Sequence, residues 1–192
     1  MLKERQKLKK WVFVLIAVST ALFLLPLFFT DHAEKKLEKR GLSRESLLTE
    51  LNPVVAEKKA ELVKKTAAIG ITILITDDFR SIEAQDELYK KGRSVDGSIV
   101  TKAKGGESYH NYGLAVDFAL RKKDGKVIWD MNYDGNRDGK KDWMQVVKIA
   151  KDLGFEWGGD WENFPDYPHL QMSFGLSIAQ LQRGTKTALL DE

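Results

Sequence analysis

The sequence predicts an α+β fold, a small and mostly antiparallel sheet with helices laid on it, preceded by one N-terminal transmembrane helix. Three observations predict it. Apolar residues recur at helical spacing in three segments with recognisable start or stop signals; short apolar runs bounded by turn residues read as strands; and a long stretch without charge follows a basic tip.

The tip comes first, with Lys3, Arg5, Lys7, Lys9 and Lys10. Residues 11–29 then run without a charge, interrupted only by Ser19, Thr20 and Pro26. At a helical rise of 1.5 Å such a run covers about 28 Å, close to the roughly 30 Å hydrocarbon core of a bilayer. The basic cluster before it predicts a cytoplasmic N-terminus and a folded part on the extracellular side. The rival is a cleaved signal peptide, with secretion of the folded part. Its small residues would be Ser19 and Ala21, but a further apolar stretch, residues 22–29, still follows them. Residues 1–30 are therefore assigned to tip and anchor. Residues 31–47, rich in Glu and Lys, form a charged stalk.

The folded domain is placed at residues 48–175, with 176–192 as a tail. Asn52 caps a helix that has Pro53 at its first position, runs over residues 54–69 and stops at Gly70. Residues 71–76 are a buried strand. Ser81 caps a second helix that ends at Gly92, which leaves Arg80 at a strand-to-helix junction. Residues 115–120 and 126–129 form a hairpin around Asp124-Gly125. A third helix covers 143–153 before Gly154, the last strand contains residues 169–172, and residues 177–182 form a short helix.

The formal net charge is only +3 and the charged residues, 31% of the chain, alternate in sign, so no basic face for tracking phosphates is expected and nucleic acid is not a partner. Cysteine is absent, so any metal must be held by His, Asp or Glu.

Only three histidines occur, His32, His110 and His169. His110 stands in a His-x6-Asp pattern with Asp117, and His169 in an Asp-x2-His pattern with Asp166. A catalytic zinc typically keeps three protein ligands and leaves a fourth position for water, a need that His110, Asp117 and His169 meet. The same ligand types suit other divalent ions. Asp166, held near His169 by the restricted Tyr167-Pro168 step, is then placed to face the water and act as general base. The chemistry implied is metal-assisted amide hydrolysis.

The segment Ser108-Tyr109-His110-Asn111-Tyr112-Gly113-Leu114-Ala115-Val116-Asp117 resembles the Ser-x-His-x2-Gly-x-Ala-x-Asp motif of the zinc D-Ala-D-Ala carboxypeptidase and endolysin superfamily. Trp157-Gly158-Gly159-Asp160-Trp161 and Asp166-Tyr167-Pro168-His169-Leu170-Gln171 resemble its peptidoglycan L-alanyl-D-glutamate endopeptidase branch, the CwlK type, and the likeness continues upstream through Phe79-Arg80-Ser81, Gln85, Leu88-Tyr89 and Arg93. The resemblance implies a hedgehog and D-Ala-D-Ala peptidase-like fold, zinc on His110, Asp117 and His169, Asp166 as base, and Arg80 in the substrate cleft. It also implies the stem peptide of peptidoglycan as substrate, cut between L-alanine and D-glutamate. A D-alanyl-D-alanine carboxypeptidase and a non-catalytic wall-binding module are the alternatives.

Arg80 suits a substrate carboxylate or a carbonyl oxygen gaining charge; its alternative is a salt bridge with Asp77, Asp78 or Glu83. Asp78, where relatives often have a small residue, adds a charge beside it. Gln85 and Ser108 are read as substrate-binding residues, against an exposed helix position for the first and a cap for the second. Trp157 and Trp161 either wall the cleft or belong to the core. Finally, Asp134, Asn136, Asp138 and Gly139 open like an EF-hand calcium loop, but Gln145 stands where a bidentate Glu is needed and Arg137, Lys140 and Lys141 offset the charge. An Asx-rich turn is the preferred reading there, and calcium the alternative.

Overall fold

The computed structural model describes residues 50–182. The expected anchor at residues 11–29 and the stalk at 31–47 lie outside the described residues, and no described helix is long and apolar enough to cross a membrane.

Helix α1, Pro53–Ala68, begins where Asn52 accepts the backbone N–H of Val54 at 2.9 Å and Pro53 supplies a ready φ at the first turn. Strand β1 is Ile73–Asp77, and helix α2, Ile82–Lys90, starts at Ser81, whose side chain accepts from Ala84. Strands β2, Ala115–Arg121, and β3, Val127–Ile128, make the expected hairpin, closed by Lys126 N–H on Asp124 Oδ1 at 3.0 Å. Helix α3 is Asp142–Asp152, strand β4 Glu156–Trp157, strand β5 His169–Gln171 and helix α4 Ile178–Gln182. Strand β4 escapes the sequence reading because two residues carry no period. Leu181 of α4 is buried in the core, so the packed unit continues past residue 175, where the sequence reading ended it.

The sheet has the order β1-β2-β5-β4, with β3 on β2, and all its pairings are antiparallel. Alternation sorts β2 into two sets. Val116, Phe118 and Leu120 enter the core, where the Phe118 ring lies 4.6 Å from the buried Trp143 of α3 and where Leu62 of α1 and Val146 of α3 are fully buried. Ala115, Asp117 and Ala119 take the opposite face. Across β5, Asp117 pairs with His169 and Ala115 with Gln171, and Glu156 of β4 pairs with Gln171 in turn. On the other side a register shift between Ile75 and Asp77 sets Asp77, not Thr76, opposite Asp117. One face of the sheet thus gathers Asp77, Asp117, His169, Gln171 and Glu156, while the other is apolar and covered by helices.

Candidate active site

His110 reaches this polar face from the 3₁₀ turn Tyr109–Tyr112 just before β2. Ser108 caps that turn, accepting the His110 N–H at 3.4 Å, and Asn111 Oδ1 accepts the Ser108 N–H at 3.3 Å. Gly113 ends it at φ 66°, where a Cβ would stand 2.3 Å from the Glu50 carbonyl oxygen, so only glycine fits. Asn111 is buried with both ends of its amide in use: Oδ1 also accepts from Gly106 at 3.0 Å, and Nδ2 donates to the carbonyls of Arg80 and Ser81 at 2.8 and 3.2 Å. The turn that presents His110 is thereby stitched to the segment that presents Arg80.

His110 Nε2, His169 Nδ1 and Asp117 Oδ1 form a nearly equilateral triangle with sides of 3.2, 3.3 and 3.3 Å. Ligands about 2.0–2.1 Å from a tetrahedral ion are separated by roughly 3.3–3.4 Å, so the triangle has the dimensions of three corners of a zinc site. The hydrogen bonds behind it agree. His110 Nδ1 lies 2.6 Å from the Asp78 carbonyl oxygen, which only accepts, so the proton is on Nδ1 and Nε2 keeps a lone pair. His169 Nε2 lies 3.0 Å from Gln171 Oε1, and Gln171 is oriented by donating its Nε2 to Glu156 at 2.8 Å, so His169 keeps its lone pair on Nδ1. Two lone pairs and a carboxylate oxygen therefore converge. Asp117 Oδ1 is buried with no hydrogen-bond partner among the described residues, the condition that a cation would relieve.

Burial alone would raise the Asp117 carboxyl, but the two imidazoles facing it outweigh burial and hold it well below the usual carboxylate range. Burial would lower His169; its contacts with Asp117 and Gln171 and the charge of Asp166 move it above the ordinary histidine value instead. Asp166 shifts upward, first through burial and then through the negative charge of Asp117, against the opposing pull of His169, His110 and Arg80. Its loop is drawn close by Asp166 N–H on the Gly158 carbonyl at 3.0 Å and Trp157 Nε1 on the Tyr167 carbonyl at 2.7 Å. A Cβ on Gly158 would meet the Asp166 carbonyl oxygen at 2.5 Å, so that glycine is what admits the loop.

These groups line one cleft of about 630 Å³, which also takes in Asp77, Arg80, Lys102, Ser108, Trp161 and Phe164. Arg80 belongs to the cleft and to an ion pair at once. Its Nη2 pairs with Asp77 and lies 3.8 Å from Asp117 Oδ2, while Nη1 donates to Gln85 Oε1 at 2.7 Å. Asp78 turns its charge away, onto Lys59 at 3.2 Å. Gln85 corrects the sequence reading: it is fully buried, so it is neither an exposed helix residue nor a wall of the cleft, and it holds Arg80 while donating to the Ala103 carbonyl at 2.8 Å. Ser108 lines the cleft and caps the turn. The tryptophans separate, Trp157 into the core and Trp161 onto the cleft wall with its ring 5.1 Å from that of His169.

Asn111, Gln171 and Glu156 were not singled out from sequence, and Asp77 was named only as one of three possible partners of Arg80. Gln171 had a signal, since i and i+2 on a strand share a face; the others depend on a bulge, a turn and a cross-strand pairing. In the Asp134 loop, Asp134 Oδ1 and Oδ2 accept the backbone N–H groups of Asp138 and Gly139, and Asp138 Oδ1 accepts that of Lys140, the bonding of an Asx-rich turn. Asp142, at its base, takes the Gly135 N–H on Oδ2 and leaves Oδ1 buried without a partner among the described residues.

Residues 101–172 match a family model described as D-alanyl-D-alanine carboxypeptidase. The chain is 54% identical over 160 residues to the peptidoglycan L-alanyl-D-glutamate endopeptidase CwlK of Bacillus subtilis, covering 83% of this chain and 94% of that protein. It is 33% identical over 150 residues to the L-alanyl-D-glutamate peptidase of Listeria phage A118, covering 78% of this chain and 47%, about half, of that relative. Among solved structures, that of the Serratia marcescens L-Ala D-Glu endopeptidase ChiX is similar at a TM-score of 0.45 and 24% identity, covering 68% of this chain and 86% of that one. With more than half of the aligned residues identical along nearly the whole length of the Bacillus protein, and with the motif residues gathered in one cleft, the chain belongs to the CwlK-type peptidoglycan L-alanyl-D-glutamate endopeptidase family.

Proposed function

We propose that this protein is a zinc-dependent endopeptidase that cleaves the L-alanyl-D-glutamate bond of peptidoglycan stem peptides during cell-wall turnover or lysis. The observation that carries the reading is the His110, Asp117 and His169 triangle, with its orphaned carboxylate oxygen, in one cleft with Asp166 and Arg80. The extent of identity to the Bacillus endopeptidase supports the choice of bond.

A zinc ion held by these three residues would supply Lewis acidity, polarising the scissile carbonyl and acidifying the attacking water. The chain's own groups do the rest. Asp166, whose raised carboxyl is suited to exchanging a proton, accepts one from the water and returns it to the departing amine of D-glutamate. Arg80 turns a permanent charge toward the carbonyl oxygen as that oxygen gains negative charge. Its grip by Asp77 and Gln85 fixes the guanidinium before substrate arrives, so little reorganisation is needed at the moment of reaction. Trp161 covers His169 and narrows the access of bulk water.

The test is mass spectrometry of muropeptides digested by the zinc-loaded protein, with and without chelator. New L-alanine C-termini and D-glutamate N-termini that vanish with chelator are expected. Release of terminal D-alanine would move the assignment to a D-alanyl-D-alanine carboxypeptidase, and zinc binding without cleavage to a wall-binding module.

The anchor belongs to the same proposal. The charge-free residues 11–29 behind a basic tip support a membrane-held enzyme working on the outer side, and resistance of the full chain to carbonate extraction is the expected result. For the Asp134 loop the Asx-rich turn stays the preferred reading.

A further inference from the structure

The cleft holds two cations in very different situations. Arg80 is enclosed, with Asp77 and Gln85 on its guanidinium and Asp117 Oδ2 at 3.8 Å, so its charge is already shared among carboxylates at the metal end. Lys102 stands on the rim, with its ammonium 4.4 Å from the centre of the Phe164 ring and no carboxylate within 4 Å among the described residues.

Its backbone is not loose. The flanking carbonyls of Thr101 and Ala103 accept from Arg93 Nη2 at 3.1 Å and Gln85 Nε2 at 2.8 Å, and Gly105 N–H binds Asp86 Oδ1 at 2.7 Å. The residues that fasten this loop lie on or just beyond α2, the helix that also steadies Arg80. The chain thus builds a fixed base for a long, mobile ammonium.

Every other ionic group on the cleft wall apart from Arg80 and the imidazoles is acidic: Asp77, Glu107, Asp117 and Asp166. Such a wall repels an anionic peptide unless a cation offsets it. The proposed substrate is anionic close to the scissile bond. In a γ-linked D-glutamate the chain continues through the side-chain carboxyl, so the α-carboxylate stays on the carbon that bears the departing nitrogen.

We propose that Lys102 binds this α-carboxylate and thereby selects stem peptides in which D-glutamate carries a free acid rather than an amide. The inference rests on the endopeptidase reading and deepens it. Arg80 serves the carbonyl oxygen and Lys102 the carboxylate, with Phe164 parking the ammonium by a cation–π contact weak enough to be exchanged for an ion pair.

The experiment compares two synthetic peptides with the zinc-loaded full chain: N-acetyl-L-alanyl-γ-D-glutamyl-L-lysine, and the same peptide with the glutamate α-carboxyl as a carboxamide. The wild-type protein is expected to favour the acid through KM by about five- to tenfold. Lys102→Met brings the ratio close to one, Lys102→Arg keeps it, and Phe164→Leu, which removes the ring and leaves the charge, keeps it as well. Equal KM values for both peptides in the wild-type protein, or an acid preference that survives Lys102→Met, would overturn the proposal. Failure of the wild-type protein to cut either peptide at the L-alanyl-D-glutamate bond is a different result: it overturns the endopeptidase reading and takes this inference with it.

Discussion

The floor and the rim of the cleft are built by different means. On the floor, Asp117, His169, Gln171 and Glu156 are neighbours by strand register, and each polar atom is either paired or directed at one point. On the rim, Lys102, Trp161 and Phe164 come from loops, and Trp161 and Phe164 remain 39% and 41% exposed. A position set by register cannot drift without moving a whole strand, whereas a loop side chain can change rotamer at little cost. The floor is therefore fitted to fixed chemistry and the rim to the choice of substrate.

Breaking the floor should have the largest effect. Asp117→Ala removes a ligand and leaves two imidazole lone pairs opposed, so kcat/KM should fall by about a thousandfold or more and bound zinc by metal analysis should drop sharply. Asp166→Asn comes next, with kcat lowered by about 10²–10⁴-fold and zinc content kept. A loss of zinc in that variant would show Asp166 to be a ligand and not the base.

The same residue gives a pH signature. Because burial raises its carboxyl from the ordinary aspartate value and the base must be ionised, kcat/KM should decline as pH falls through a value above that of a free aspartate. Its effect on stability has the opposite sense. A carboxyl raised by folding holds its proton more tightly in the native state, so stability falls as pH rises from the unfolded value to the folded one. In chelated protein, Asp166→Asn should raise Tm near neutral pH, and the gain should vanish below about pH 3.9, where both states are protonated.

A smaller change sharpens the picture of the floor. Gln171→Ala leaves the three ligands in place but frees His169 Nε2 from its acceptor, and zinc affinity measured by chelator competition should weaken by about 10–100-fold. Smallest is the rim: Trp161→Ala should raise KM by about tenfold or less with zinc affinity unchanged, as an aromatic contact of about 0.5–1.5 kcal/mol requires. Loss of zinc in that variant would erase the distinction between the two regions.

Much of this was legible in the chain. Helix caps at Asn52 and Ser81, the Asp124-Gly125 hairpin and the apolar side of α3 are local, since each depends on residues within a few positions of one another. The three residues that converge as a candidate metal site were legible because a chain with three histidines and no cysteine has few ways to hold a metal. Arg80 was found, with Asp77 only as one of three possible partners. Which of Asp77, Asp78 and Glu83 meets it depends on a bulge that no periodicity announces.

The sequence by itself determined the local elements, the residue types available for chemistry and the motif that links them, because caps, turns and side-chain basicity act over short range. Tertiary structure alone decided the rest. It paired Asp117 with His169, turned Gln85 from a surface residue into the buried support of Arg80, aligned Glu156 behind Gln171 and left Lys102 with an aromatic ring for its partner. Those outcomes depend on strand register and on the fastening of loops between residues distant in the chain, and such contacts form only when the whole sheet and its covering helices come together.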